Sequence, residues 1–327
     1  MHGAEIDEAV RRADLDELVR LIDGLCSARD WDALVALRER CARAHETGRQ
    51  LWPAASHATY RLALEAPAEL AGATLDADGA PFTLGPLPEV VAQAHTWTEL
   101  VPHAPNGAPA VLAAHERVLR GEDLSGVDLP GPPVLEVSLR LEEWEPEYAL
   151  AEYHSDRADF PMPPIPALQP ETLPAPNDDI ERDEASDALL ELVRAWTAGS
   201  DGRADAVSVR GGALDAIAAL GPRTARVAPI EPAHGLALMA WAGASGGAHG
   251  RRAGAAAGRF GAWWALGAMT GLLDDWPPHP DDLGSALGAL EFVAWDSEEP
   301  ETGWRLHLAV EDPAWGRAWA IAATDAD

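Results

Sequence analysis

Leu15, Leu18, Val19 and Ile22 recur at i, i+3, i+4 and i+7, the spacing that puts apolar side chains on one face of an α-helix. The pattern predicts a helix that ends in a short connection over 24–29, after which Asp30 is placed to cap a second helix. That second helix sets Trp31, Leu34, Leu37 and Cys41 on one side. A third starts at Trp52, with Pro53 tolerated in its first turn, and runs through Leu64. Shorter helices are predicted over 87–95 and 108–120. Residues 1–120 thus read as α-helical hairpins joined by tight loops, in the style of a helical repeat but without a fixed sequence period.

The pattern changes near Gly121. Leu135, Val137, Leu139 and Leu141 alternate with Glu136, Ser138 and Arg140, the period of a half-buried strand. Acidic residues then dominate, interrupted by prolines from Pro161 to Pro176. Repeated proline removes amide donors and favours polyproline II, so 121–183 is expected to be a strand followed by an acidic surface connector. The alternative is a docking segment for an aromatic groove on a partner. From 184 to 327 the pattern predicts helices over 185–198, 212–220, 232–242 and 254–272, and strands over 206–210 and 224–229. An antiparallel three-strand meander over 290–295, 304–310 and 315–323 closes the domain, with loops around Pro300 and Pro313. The expected fold class is α+β, a helical-hairpin region followed by a mixed α/β domain.

Composition narrows the function. The 327 residues are 47% hydrophobic and include 13 Trp, enough for a substantial core. With 54 acidic residues against 24 basic ones, the formal charge of −30 repels phosphate backbones and anionic bilayers, so neither nucleic acid nor membrane is an expected partner. Every basic residue is Arg, which removes Schiff-base lysine chemistry, a pyridoxal-phosphate anchor, the P-loop lysine and the kinase strand lysine. Cys26 and Cys41 form no CxxC pair, so a thiolate zinc cluster or a disulfide framework is not expected. Two thiols expected to be reduced and an N-terminus without signal-peptide features make the cytoplasm the expected location.

Within this acidic chain, residues 232–273 contain no carboxylate. Their centre, Gly243-Ala-Ser245-Gly246-Gly247-Ala-His249-Gly250-Arg251-Arg252, leads into Arg259, Phe260, Trp263 and Trp264. Consecutive glycines let backbone amides converge, and a following helix N-terminus adds partial positive charge. Ser245, Gly246, Gly247, His249, Arg251, Arg252 and Arg259 are therefore the candidate site for a small phosphate- or carboxylate-bearing ligand. The bland alternative is that the arginines pair with internal carboxylates and the glycines let helices approach closely.

The loop also matches G-x-S-x-G, and Asp274, Asp281 or Asp296 with His307 would supply the chain order of a hydrolase triad. A helix before the loop and a poor helix start after it argue against a nucleophile there. Phe260, Trp263 and Trp264 read as core. His115-Glu116 lacks the second histidine of H-E-x-x-H, the other histidines, His45 and His154 among them, are scattered, and neither a metal nor a cofactor is expected. The runs Glu142-Glu143-Trp144-Glu145 and Asp178-Asp179-Ile180-Glu181 read as solvated faces. The stretch 274–282 reads as a rigid exposed turn.

The segment Arg49-Gln-Leu-Trp52-Pro53-Ala-Ala, the loop from Ala242 to Arg252, the following Gly258-Arg259-Phe260-Gly-Ala-Trp263-Trp264 and the tail from Trp304 to Ala323 together resemble an uncharacterised domain-of-unknown-function family of high-GC bacteria. The resemblance spans most of the chain and implies no activity. The leading expectation is a non-enzymatic binding or scaffold protein that holds a protein partner through its helical region or anionic surface. An enzyme or sensor for a small anion at 243–259 is the alternative, and a serine hydrolase using Ser245 the third.

Overall fold

The expected stripe on the first long helix is displaced in the structure. In the computed structural model, which describes residues 3–46, 48–76, 83–175, 180–297 and 303–326, that helix continues through Gly24. It buries Leu18, Ile22, Leu25 and Cys26, while Leu15 and Val19 are 38% and 40% exposed. The predicted connection at 24–29 is corrected accordingly: carrying the helix on buries Leu25 and Cys26, and the left-handed Arg29 ends it. The side chain of Asp30 then accepts from the amide of Ala33 at 3.3 Å and caps the next helix, as expected.

Two compact units result, 1–134 with 152–159, and 135–151 with 160–327. Among the described residues the first holds α1 (Gly3–Arg12), α2 (Leu15–Ala28), α3 (Trp31–Glu46), α4 (Trp52–Glu65), α5 (Ala68–Ala73), α6 (Leu87–Ala94), α7 (Trp97–Leu100) and α8 (Ala108–Leu119). Its core joins Ile6, Leu18, Ile22, Leu34, Leu37, Cys41, Leu51 and Leu62 from successive helices. A small antiparallel hairpin, β1 (Glu152–Tyr153) and β2 (Ala158–Asp159), completes this unit.

The second unit contains β3 (Gln169–Thr172), β4 (Ile180–Glu181), α9 (Glu184–Leu192), α10 (Arg194–Ala198), β5 (Arg203–Arg210), α11 (Ala213–Ala219) and β6 (Thr224–Ile230). It continues with α12 (Pro232–Ala244), α13 (Ala255–Thr270), α14 (Pro280–Ala289), β7 (Glu291–Asp296), β8 (Trp304–Asp312) and β9 (Arg317–Asp325). Among the described residues the sheet runs β3-β6-β7-β8-β9-β5-β4, antiparallel throughout. The fold is α+β, and β7, β8 and β9 form the expected meander. The short helix α11 packs on one face, against Val209, Trp295, Ala309, Ala318 and Ala320. The longer α12 lies on the other, where Gly235 abuts the ring of Phe292, with no room for a Cβ.

Three expectations need correction. Residues 135–141 form no strand, because the carbonyls of Ser138 and Arg140 accept from a guanidinium instead of a neighbouring strand. The proline-rich segment is more than a connector. Its Gln169–Thr172 stretch pairs with β6 at the sheet edge, a position that tolerates Pro170. The stretch 274–282 is not wholly a turn, since His279 caps α14 and Pro280 begins it. The predicted loop around Pro300, the acidic pair Asp178-Asp179 and the side chain of His45 lie outside the described residues.

Candidate functional site

Helix α12 ends at Ser245, whose amide closes onto the Ala242 carbonyl at 3.1 Å. The chain then doubles back on itself. A Cβ on Gly246 would sit 2.2 Å from the Gly250 carbonyl oxygen, and one on Gly250 would sit 2.2 Å from that of Gly246. Gly247 adopts φ +69° and stands against the Asp325 carboxylate, with no room for a side chain. These glycines are set by close approach and by one left-handed turn.

One amide of the loop already holds an anion, supplied by the chain itself. Asp325, 1% exposed on the last strand, accepts from the Ala248 amide at 2.7 Å through Oδ2. Its Oδ1 accepts from the Ser200 hydroxyl at 2.9 Å. Ser245 is 1% exposed, and its Oγ accepts from the Trp196 indole at 2.8 Å and from the Gly247 amide at 3.2 Å. No hydrogen bond joins Ser245 to a histidine among the described residues. Of the triad candidates, Asp296 is paired with Arg226, His307 stacks on Trp295 with ring centroids 4.6 Å apart, and Asp274 and Asp281 are exposed. A helix also precedes Ser245 where a nucleophile elbow requires a strand.

The arginines separate into two groups. Arg259, buried on α13, points into the interior. Its Nε and Nη2 grip the two oxygens of Glu145 at 2.7 and 2.6 Å. Its remaining donors reach the carbonyls of Ser138 at 2.7 Å and Arg140 at 2.9 Å. The Trp263 indole and the Tyr148 hydroxyl complete the shell of Glu145 at 3.1 and 2.6 Å. Burial, and next the charge of Glu145, push the Tyr148 phenol well above its ordinary range. Glu145 is thus no solvated surface carboxylate. Nor is Glu142, which is 8% exposed. Burial alone would raise its carboxyl, but hydrogen bonds from Ser138 and Arg140 outweigh that and hold it below the usual value.

Facing outward are His249 and Arg251, both exposed, and Arg252, whose guanidinium lies 4.9 Å from the centroid of the Phe160 ring. The structure therefore does not gather the seven candidate residues around one opening. Ser245, Gly246, Gly247 and Arg259 belong to internal packing, whereas His249 and Arg251 look out to solvent. Gly258 shows why the helix is glycine-rich: a Cβ there would lie 2.1 Å from the Ala240 carbonyl of α12. Sequence reasoning missed Glu145 and Asp325, the internal anions that engage Arg259 and the Ala248 amide. Neither has a local signature, because each lies about 80 to 115 residues from its partner.

Elsewhere in the second unit a cavity of about 560 Å³ is lined by residues 162–168 together with Arg226, Asp296 and Arg305. Arg226 meets Asp296 through Nε at 2.9 Å and Nη2 at 2.6 Å. The proline segment supplies the apolar wall.

Neither the curated proteins nor the solved structures contain a match to this chain. A family model, by contrast, matches residues 16–327, nearly the whole chain. It spans the second unit with its glycine–arginine loop and most of the first, and the chain belongs to DUF6183, a family of unknown function.

Proposed function

We propose that the protein is a non-enzymatic binding protein that engages a protein partner, with the tip of the β8–β9 hairpin as its anchor. One observation carries this reading: Trp315 at that tip is 86% exposed. Its presentation is fixed, since Asp312 Oδ1 accepts from the amides of Ala314 at 2.9 Å and Trp315 at 3.1 Å. Gly316 follows with φ +60°, and its carbonyl accepts from the Gly211 amide at 3.0 Å. A rigid aromatic side chain loses little entropy on docking, and tryptophan is enriched among residues that dominate interface energy. The formal charge of −30 favours a partner whose apolar pocket is rimmed by basic residues. The internal engagement of Arg259 and of the Gly247 and Ala248 amides supports a structural role for the loop.

The test compares wild type with Trp315→Ala as bait under native conditions, at low and raised ionic strength. A partner held through this tip loses about 2 kcal/mol or more, roughly thirtyfold in affinity, on truncation of the indole. Equal recovery of every partner by both baits refutes the reading. A second reading, capture of a small anion with an apolar body, is favoured by the cavity at Arg226 and Arg305. Thermal-shift screening against carboxylates and phosphate esters, repeated on Arg305→Ala, checks it.

A further inference from the structure

The β1–β2 hairpin brings two carboxylates and an imidazole together. In its register Glu152 stands opposite Asp159, and Tyr153 opposite Ala158. Because strand side chains alternate, Glu152 and His154 share a face with Asp159, while Tyr153 points the other way. Tyr153 is 2% exposed, and its hydroxyl donates to the buried Glu89 at 2.6 Å. Its backbone is fastened on both sides by the side chain of Gln93, which donates to the Tyr153 carbonyl at 2.9 Å and accepts from its amide at 2.7 Å. The Tyr60 hydroxyl donates to the carbonyl of His154, and the His154 amide closes the turn on the Arg157 carbonyl at 2.9 Å. Gly85 leaves the space into which the Tyr153 ring fits. Two residues per strand make a hairpin too short to stand alone. Here it is held from behind by helix side chains, so its outer face is a fixed platform.

On that platform one oxygen each from Glu152 and Asp159 and one imidazole nitrogen of His154 all lie within 4.8 Å of one another. His154 Nε2 is 3.1 Å from Asp159 Oδ2. Zinc–nitrogen and zinc–oxygen bonds of about 2.0–2.2 Å place adjacent ligand atoms about 3.0–3.5 Å apart, so this separation already fits one edge of a coordination shell. Two carboxylates directly across an antiparallel pair repel unless a cation stands between them. The nearest competing cation is Arg157, 60% exposed, with Nε 3.5 Å from Asp159 Oδ2 and Nη1 3.8 Å from Asp156. It is long, solvated and easily displaced.

We infer that Glu152, His154 and Asp159 form a binding site for a divalent transition ion of the zinc type. One imidazole with two carboxylates is a donor set for Zn²⁺ or Mn²⁺ and departs from the all-oxygen shell that Ca²⁺ and Mg²⁺ prefer. Three protein ligands on an open face leave the remaining positions to water or to a group on a partner.

The experiment titrates tag-free full-length protein with Zn²⁺ by isothermal calorimetry, beside His154→Ala, Asp159→Asn and Arg157→Ser. The expected result is a site for one ion per chain that weakens at least tenfold in both His154→Ala and Asp159→Asn. Arg157→Ser should bind at least as tightly as wild type, because it loses a competing charge and no ligand. All three positions are at or near the surface, and circular dichroism checks that each variant keeps its fold. Wild-type affinity in His154→Ala and Asp159→Asn overturns the site. So does weakening in Arg157→Ser equal to theirs, which would mark the cluster as a salt-bridged hairpin face only.

Discussion

Replacing Arg259 by Met tests whether the interior of the second unit is organised around one ion pair. The side chains of Arg259 and Glu145 are 1% and 0% exposed. Removing the guanidinium strands a buried carboxylate and takes the donors from two carbonyls, those of Ser138 and Arg140. Breaking a buried pair by deleting one partner costs about 3–5 kcal/mol, which for a unit of this size lowers the melting temperature by roughly 6–20 °C. The assay is urea unfolding followed by tryptophan fluorescence, with the double variant Arg259→Met/Glu145→Gln completing a thermodynamic cycle. Neutralising the stranded carboxylate while keeping an acceptor for Trp263 and Tyr148 should recover about 1–2 kcal/mol of the loss. A single-variant loss under about 1 kcal/mol, or additive losses in the double variant, refutes the pair as the organising contact.

Other perturbations test separate parts of the structure. Burial, then the charge of Arg305, depresses the His307 imidazole to about 4. The unfolded chain, with an ordinary histidine, therefore binds the extra proton more readily than the folded one. Its contribution is complete above about pH 6.5 and is lost as pH falls towards 4, by at most roughly 3 kcal/mol. Urea midpoints of wild type should fall across that window, and those of His307→Phe, which keeps the stack on Trp295, should fall less. Burial raises both Cys26 and Cys41 to about 11. Neither thiol should react with a disulfide reagent at pH 8 in native protein, and both should react after denaturation.

Local pattern determined most elements, and tertiary contact determined what the charged residues do. The helices from α2 to α4 and the meander β7–β9 were legible because apolar periodicity, an Asp cap and turn residues act within a few positions. The face of α2 was not, since continuing through Gly24 depends on Leu25 and Cys26 finding a core built from other helices. Residues 135–141 alternate like a strand yet pair with no neighbour, because Arg259, more than a hundred residues later, takes their carbonyls. The glycine–arginine loop was found from sequence as a stretch without carboxylates in an acidic chain. That its Ala248 amide meets Asp325 and the buried arginine after it meets Glu145 was decided only when distant segments came together. The same holds for the hairpin cluster: Glu152, His154 and Asp159 are ordinary acidic-loop residues until strand register places them on one face and Tyr153 pins them there. Short-range pattern is enough for α3, α4 and the meander, where caps and turns act locally, but the partner of a charge is set by which segments the folded chain brings within a few ångströms.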